Sequence, residues 1–236
     1  MIRKTLGLCS VIFLCITSSA FAEGVKPVQL GVFNPIQLFP SVDSVCGLSL
    51  NLLYCDNVNM AGLSLSSGWT RTSLNMKGVQ LGIINWVDGV SYGWQSGLFN
   101  YTGGHSGGLD VSAVNINKEG KTGLQLGVAN WGKSFFHGWQ MGAVNYLNGE
   151  FTGFEVGFTN IIRERFSGLQ IGAFNFVGKA MTGLQIGLWN NAGEVGGVQI
   201  GVVNACRTLR GVQIGLGNYN DKGDPMPFMI VANWGF

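Results

Sequence analysis

The sequence predicts an all-β protein: a closed antiparallel transmembrane β-barrel of about 14 strands built from 15-residue repeats, with a β-solenoid as the alternative. Three observations carry this reading. One phrase, Gly-apolar-Gln-apolar-Gly-x-x-Asn, recurs along the chain; polarity alternates within it; and charged residues make up only 11% against 46% hydrophobic, with 38 glycines. Globular domains ordinarily carry about 25% charge. Either much of the surface is not facing water, or the interior is unusually repetitive.

The chain opens with Arg3 and Lys4, an apolar run from Leu6 to Ile16, and Ala20-Phe21-Ala22 before Glu23. This is the layout of a secretory leader with a small-x-small cleavage site. Cleavage is expected after Ala22, which makes residues 1–22 a signal peptide and 23–236 a single repeat-built β domain. Cys9 and Cys15 lie within the leader, and neither follows the small residue that a lipoprotein attachment site requires. Lys and Arg total 14 and Asp and Glu 12, so loss of Arg3 and Lys4 leaves the remainder formally neutral. No basic field argues for nucleic acid. Beyond the leader no run of about 18 apolar residues could form a membrane-spanning helix, so the Gly183 to Gly187 spacing is not a helix-dimer motif.

The leading glycines of the repeat are Gly78, Gly93, Gly108, Gly123, Gly138, Gly153, Gly168 and Gly183, stepping by 15, followed by Gly197 and Gly211 at a step of 14. Weaker copies start at Gly47 ("GLSLNLLY") and Gly62 ("GLSLSSGW"), another at Pro27 ("PVQLGVFN"), and a degenerate last one at Pro227. In the Gly168 unit, Leu169, Ile171 and Ala173 alternate with Gly168, Gln170 and Gly172, the period-two pattern of a strand between two environments. Each unit therefore reads as one strand. The connectors "NKEGKT", "LNGEFT" and "TGGHSG" read as turns; only "PIQLFPSVDSVC" is longer.

Several features favour the barrel. A tilted strand of about 9 to 11 residues crosses a bilayer, bacterial single-chain barrels have even strand numbers, and closure leaves no exposed edge. Phe228, Ile230, Ala232, Trp234 and Phe236 alternate to an aromatic carboxyl terminus, which resembles the signal that barrel proteins present to their assembly machinery. Aromatic residues at the ninth position, Trp86, Tyr101, Trp131, Tyr146 and Tyr219, fit an interfacial girdle. Against the barrel stands the eighth-position asparagine, at Asn85, Asn100, Asn115, Asn130, Asn145, Asn160, Asn175, Asn190, Asn204 and Asn218. By parity it shares the lipid-facing side, a costly placement unless a bulge intervenes; a solenoid would stack the same column as an asparagine ladder. A coil of 15 residues would, however, want inward apolar side chains in its second half, and "TGGHSG" and "NKEGKT" offer none.

These units resemble those of a family of bacterial surface-repeat proteins that read Gly-Leu-Gln-Ile-Gly-Leu-Ile-Asn, and the resemblance runs from "PVQLGVFNPIQLFP" at 27–40 to "VANWGF" at 231–236. It implies secretion and a location in the bacterial outer membrane or on the cell surface, and it supplies no activity. The barrel is expected to be structural or a passive pore for small polar solutes, with outer-membrane lipid and the assembly machinery, reached through the Phe236 strand, as partners. Gln80, Gln95, Asp110, Gln125, Gln140, Glu155, Gln170, Gln185, Gln199 and Gln213 would face its lumen. In the alternative, a secreted or surface-attached solenoid binds a partner through its Gln and Asn columns.

No enzyme is expected, and no metal or cofactor. His105 and His137 fall on one rim of the barrel, roughly 10 Å apart at strand spacing, with no ligand cluster beside them. "GHSGG", residues 104 to 108, matches a nucleophile elbow, which needs a strand leading into a helix; no helix follows. A Ser106, His137 and Asp110 hydrolase is thus set behind the reading of Ser106 as a turn residue. On an extended strand Cys46 and Cys55 would stand roughly 30 Å apart, too far for a disulfide. Asn100-Tyr101-Thr102 fits a glycosylation sequon, a chance match in an Asn-rich repeat, and is given no role.

Overall fold

A computed structural model describes residues 24–223 and 226–235. The expected leader, with Cys9 and Cys15, and the terminal Phe236 lie outside the described residues. The described residues fall into two compact units, one ending at Asn117 and the other starting at Lys118, called below the 1–117 and 118–236 units. Both are β-solenoids, with about 13 turns between them.

The closed barrel is overturned by strand direction. Strand Phe135–Leu147 pairs in parallel with Glu150–Ile162, placing Gly138 against Gly153, Gln140 against Glu155 and Asn145 against Asn160. The same one-repeat register continues from Glu150–Ile162 into the next coil and through Val198–Leu209 into Val212–Asn220. A hairpin barrel would pair neighbours antiparallel; here the chain returns to its starting position after each repeat. Each unit of the sequence is one full coil and not one membrane-crossing strand. Among the described residues, antiparallel pairing joins the short strand Ile36–Gln37 to Val25–Phe33, and Phe228–Trp234 to the last coil.

What turns the coil is written in the repeat. Ten leading glycines, from Gly47 to Gly183, have φ between +108° and +142°, a region that side chains exclude. Their placement is doubly restrictive, because a methyl group on Gly153 would fall inside the carbonyl oxygen of Gly138 one coil earlier. A second bend falls at the fifth and sixth positions, as at residues 82–83 and 97–98, and a third in the connectors, as at 103–104 and 133–134. Where both breaks fall, as in the coil led by Gly78, three short extended segments result, while in others, such as Phe135–Leu147, the strand runs on through the fifth and sixth positions. In both kinds the inward side chains are those at positions three, eight, ten and fourteen.

The second bend explains the misplaced asparagine. Parity counted along a straight strand puts position eight opposite position three, but the bend at Gly-x resets the count and both point inward. In the second half of the coil, positions ten and fourteen build the apolar core of the 118–236 unit: Leu147, Ile162, Val177, Ala192 and Cys206 in one column, Phe136, Phe151, Phe166 and Met181 in the other. Phe136 and Phe151 stack at 5.0 Å, and Phe151 and Phe166 at 5.6 Å. "TGGHSG" and "NKEGKT" are polar exceptions, contributing the buried Thr102, Ser106 and Lys121.

In the 1–117 unit the apolar cluster is smaller, Val45, Met60, Met76 and Val87. Serines Ser49 and Ser64 take the glutamine slot there, while Cys55 and Thr70 share the asparagine column with Asn85. An extra residue between Gly62 and Gly78 is absorbed as a register shift after Asn57.

Gly153→Ala is expected to lower stability by more than about 2 kcal/mol, from strained φ and the lost carbonyl approach, while Thr152→Ala on the exposed side should stay within about 0.5 kcal/mol. Chemical denaturation of both variants checks this.

Candidate functional site

The ten residues assigned to a lumen are all buried, none more than 2% exposed, and they line a packed interior. In the 118–236 unit they form a ladder. Nε2 of four glutamines donates to a glutamine Oε1 one coil back: Gln140 to Gln125 at 2.6 Å, Gln185 to Gln170 at 2.6 Å, Gln199 to Gln185 at 2.7 Å and Gln213 to Gln199 at 2.9 Å. Gln95 donates to Gln80 at 3.0 Å in the 1–117 unit. Asp110 accepts from Ser106 at 3.0 Å and from Asn117 at 3.3 Å, also within that unit.

Asparagines form a second ladder that runs the other way. Nδ2 of Asn145 donates forward to Oδ1 of Asn160 at 2.8 Å, Asn160 to Asn175 at 2.8 Å, and Asn175 to Asn190 at 2.8 Å. The second proton of each amide reaches a backbone carbonyl just before the bend of the next coil, Val156, Ile171 and Ile186 at 2.9–3.0 Å. The fifth-position glycine makes room for this: a methyl on Gly172 would stand 2.6 Å from Asn160 Nδ2 and 2.9 Å from Asn175 Oδ1. Every letter of Gly-x-Gln-x-Gly-x-x-Asn is thus a packing requirement. Opposed ladders also point their side-chain amide dipoles in opposite directions along the stack.

With both columns consumed internally, partner binding through exposed Gln and Asn side chains has no surface to act on. Ser106 is fully buried in the 1–117 unit, and His137 is exposed on the 118–236 unit against Phe135, ring centroids 5.1 Å apart. His105 lies against Tyr92. Burial pushes the Cys55 thiol up to about 11 and the Cys206 thiol up to about 12, which makes them poor nucleophiles. No disulfide joins Cys46 to Cys55, and among the described residues no three His, Cys, Asp or Glu side chains come together as metal ligands.

What remains is the outside. In the seven coils led by Gly123 to Gly211, the first nine positions carry one charged residue, the buried Glu155; every other charge lies in the connectors, including Lys133, Glu150, Arg163, Arg165, Lys179, Glu194 and Arg210. Pairs such as Arg165 with Glu150 and Lys179 with Glu164 are exposed ion pairs on that third side. The other two sides meet at the second bend, where Val128, Phe158, Leu188 and Leu216 stand 58–71% exposed. Trp139, Met141, Trp189 and Ile214 flank this ridge. A solenoid of amide-ladder core and charge-free apolar flanks is the class that fold and surface define. No protein-family model, curated protein or solved structure matches the chain.

Asn160→Ala strands the amide proton of Asn145, the Oδ1 of Asn175 and the carbonyl of Ile171 in a buried site. A loss of about 2–4 kcal/mol is expected, readable as a lower denaturation midpoint.

Proposed function

We propose that the protein is a non-catalytic, surface-associated solenoid that rests on a lipid bilayer through the two uncharged sides of its 118–236 unit. The observation that carries this reading is the segregation of charge. Seven stacked coils at about 4.8 Å spacing make each side roughly 30 Å long and 15 Å wide, so the paired sides exceed the few hundred Å² of apolar patch usual on a soluble monomer.

Shape favours lipid over a protein partner. The most exposed side chains crown a convex ridge, and a flat partner would cover one side of it only. A fluid interface covers both, taking apolar groups about 5–10 Å into the headgroup and acyl boundary. Trp139, Trp189 and Tyr219 are amphipathic rings of the kind that settle there. Backbone amides in these sides are paired between coils, so lipid contact strands none of them. The resemblance to bacterial surface-repeat proteins and the leader-like first 22 residues support placement at the bacterial surface, with outer-membrane lipid as the partner.

Flotation with phospholipid vesicles is the test. Wild-type protein is expected to float and its tryptophan emission to shift to the blue and be quenched by brominated acyl chains. Phe158→Lys with Leu188→Lys should cut vesicle-bound protein at least tenfold with the coil fold intact by circular dichroism. Equal flotation of that variant, or no flotation of the wild type, would refute the proposal.

A further inference from the structure

One rung of the glutamine ladder is a carboxyl group. Glu155 lies fully buried between Gln140 and Gln170. Gln170 Nε2 donates to Glu155 Oε2 at 2.6 Å, as it would to a glutamine carbonyl. On the other side the chain of bonds breaks: Glu155 Oε1 and Gln140 Oε1 both lack a partner, while Gln140 Nε2 is committed to Gln125. Two acceptor oxygens stand on adjacent rungs where every neighbouring rung places a donor and an acceptor.

A single proton repairs this. A carboxylic acid offers one donor and one acceptor along the ladder, as an amide does. We propose that Glu155 is held as the neutral acid and that its proton is a structural ligand, donated from Oε1 to Gln140 Oε1 so that the ladder runs unbroken from Gln125 to Gln213.

The surroundings agree. The inward side chains of its own and adjoining coils, among them Gln140, Asn145, Phe151, Asn160, Ile162 and Gln170, carry no charge. Desolvation by burial pushes the Glu155 carboxyl up to about 8, opposed only by the Gln170 hydrogen bond. In the unfolded chain the same group titrates near 4.5. Between those values the folded protein holds a proton that the unfolded chain has released. The stabilisation is therefore complete below about pH 4.5, declines as pH rises toward 8, and is gone above it.

Denaturation across pH 5 to 8 measures this directly. Wild-type protein is expected to show its unfolding constant rising up to tenfold per pH unit from this one group. Glu155→Gln, which supplies the donor permanently, should remove one proton from that dependence and be the more stable protein at pH 8. Infrared spectroscopy of the folded wild type at pH 6 should show a protonated-carboxyl band that Glu155→Gln lacks. An unchanged pH dependence in Glu155→Gln, or absence of that band, would overturn the proposal.

Discussion

A buried primary amide needs two acceptors and a donor, and the simplest way to provide them in a narrow interior is to stack each amide on its own copy. That requirement sets the rest of the structure. It demands parallel coils in register, because an offset would bring amide against methyl. It demands a carbonyl within reach of the second proton, and that carbonyl comes from the residue just before each bend. It demands glycine wherever the coils approach too closely for a Cβ. Buried amides left unpaired would each cost about 1–3 kcal/mol, so the period is enforced by penalty as much as by attraction.

Polar interiors have an outward consequence. Since positions three and eight are consumed by amides, much of the hydrophobic composition falls on positions two, four, six and seven, which face outward. The distribution of a soluble domain is partly inverted over two sides of the 118–236 coils. Phe136, Phe151 and Phe166 still give that unit a dry column, and the connectors keep one side hydrated and charged. This is why a chain with 11% charge divides so cleanly into an apolar ridge and an ionic side.

Much of this was legible in the sequence. The period, the extended segments and the extended terminal strand all follow from spacing and alternation, whereas the glutamine column, expected in a lumen, is packed inside the coil. The eighth-position asparagine conflicts with a lipid-facing strand, and its stacking as a ladder fits the solenoid. The bends at Gly-x were not legible as bends, because glycine at positions one and five alternates in phase with glutamine and so mimics one face of a straight strand. The apolar second half is masked by the polar connectors "TGGHSG" and "NKEGKT", although "KSFFHG" and "NGEFTG" place a phenylalanine at position fourteen. Ser49, Ser64, Cys55 and Thr70 could be recognised as ladder substitutes only once their stacking partners were known.

Register between coils is the claim on which all else rests, and disulfide trapping tests it most directly. His137 and Thr152 are exposed and directly paired in adjacent coils, within the Cα separation that a disulfide spans. With the native thiols replaced by serine, His137→Cys together with Thr152→Cys should oxidise rapidly to an intramolecular bond. In antiparallel neighbouring strands the same two residues would stand at opposite ends, roughly 30 Å apart, and failure of the pair to cross-link in folded protein would count decisively against coils of one repeat each.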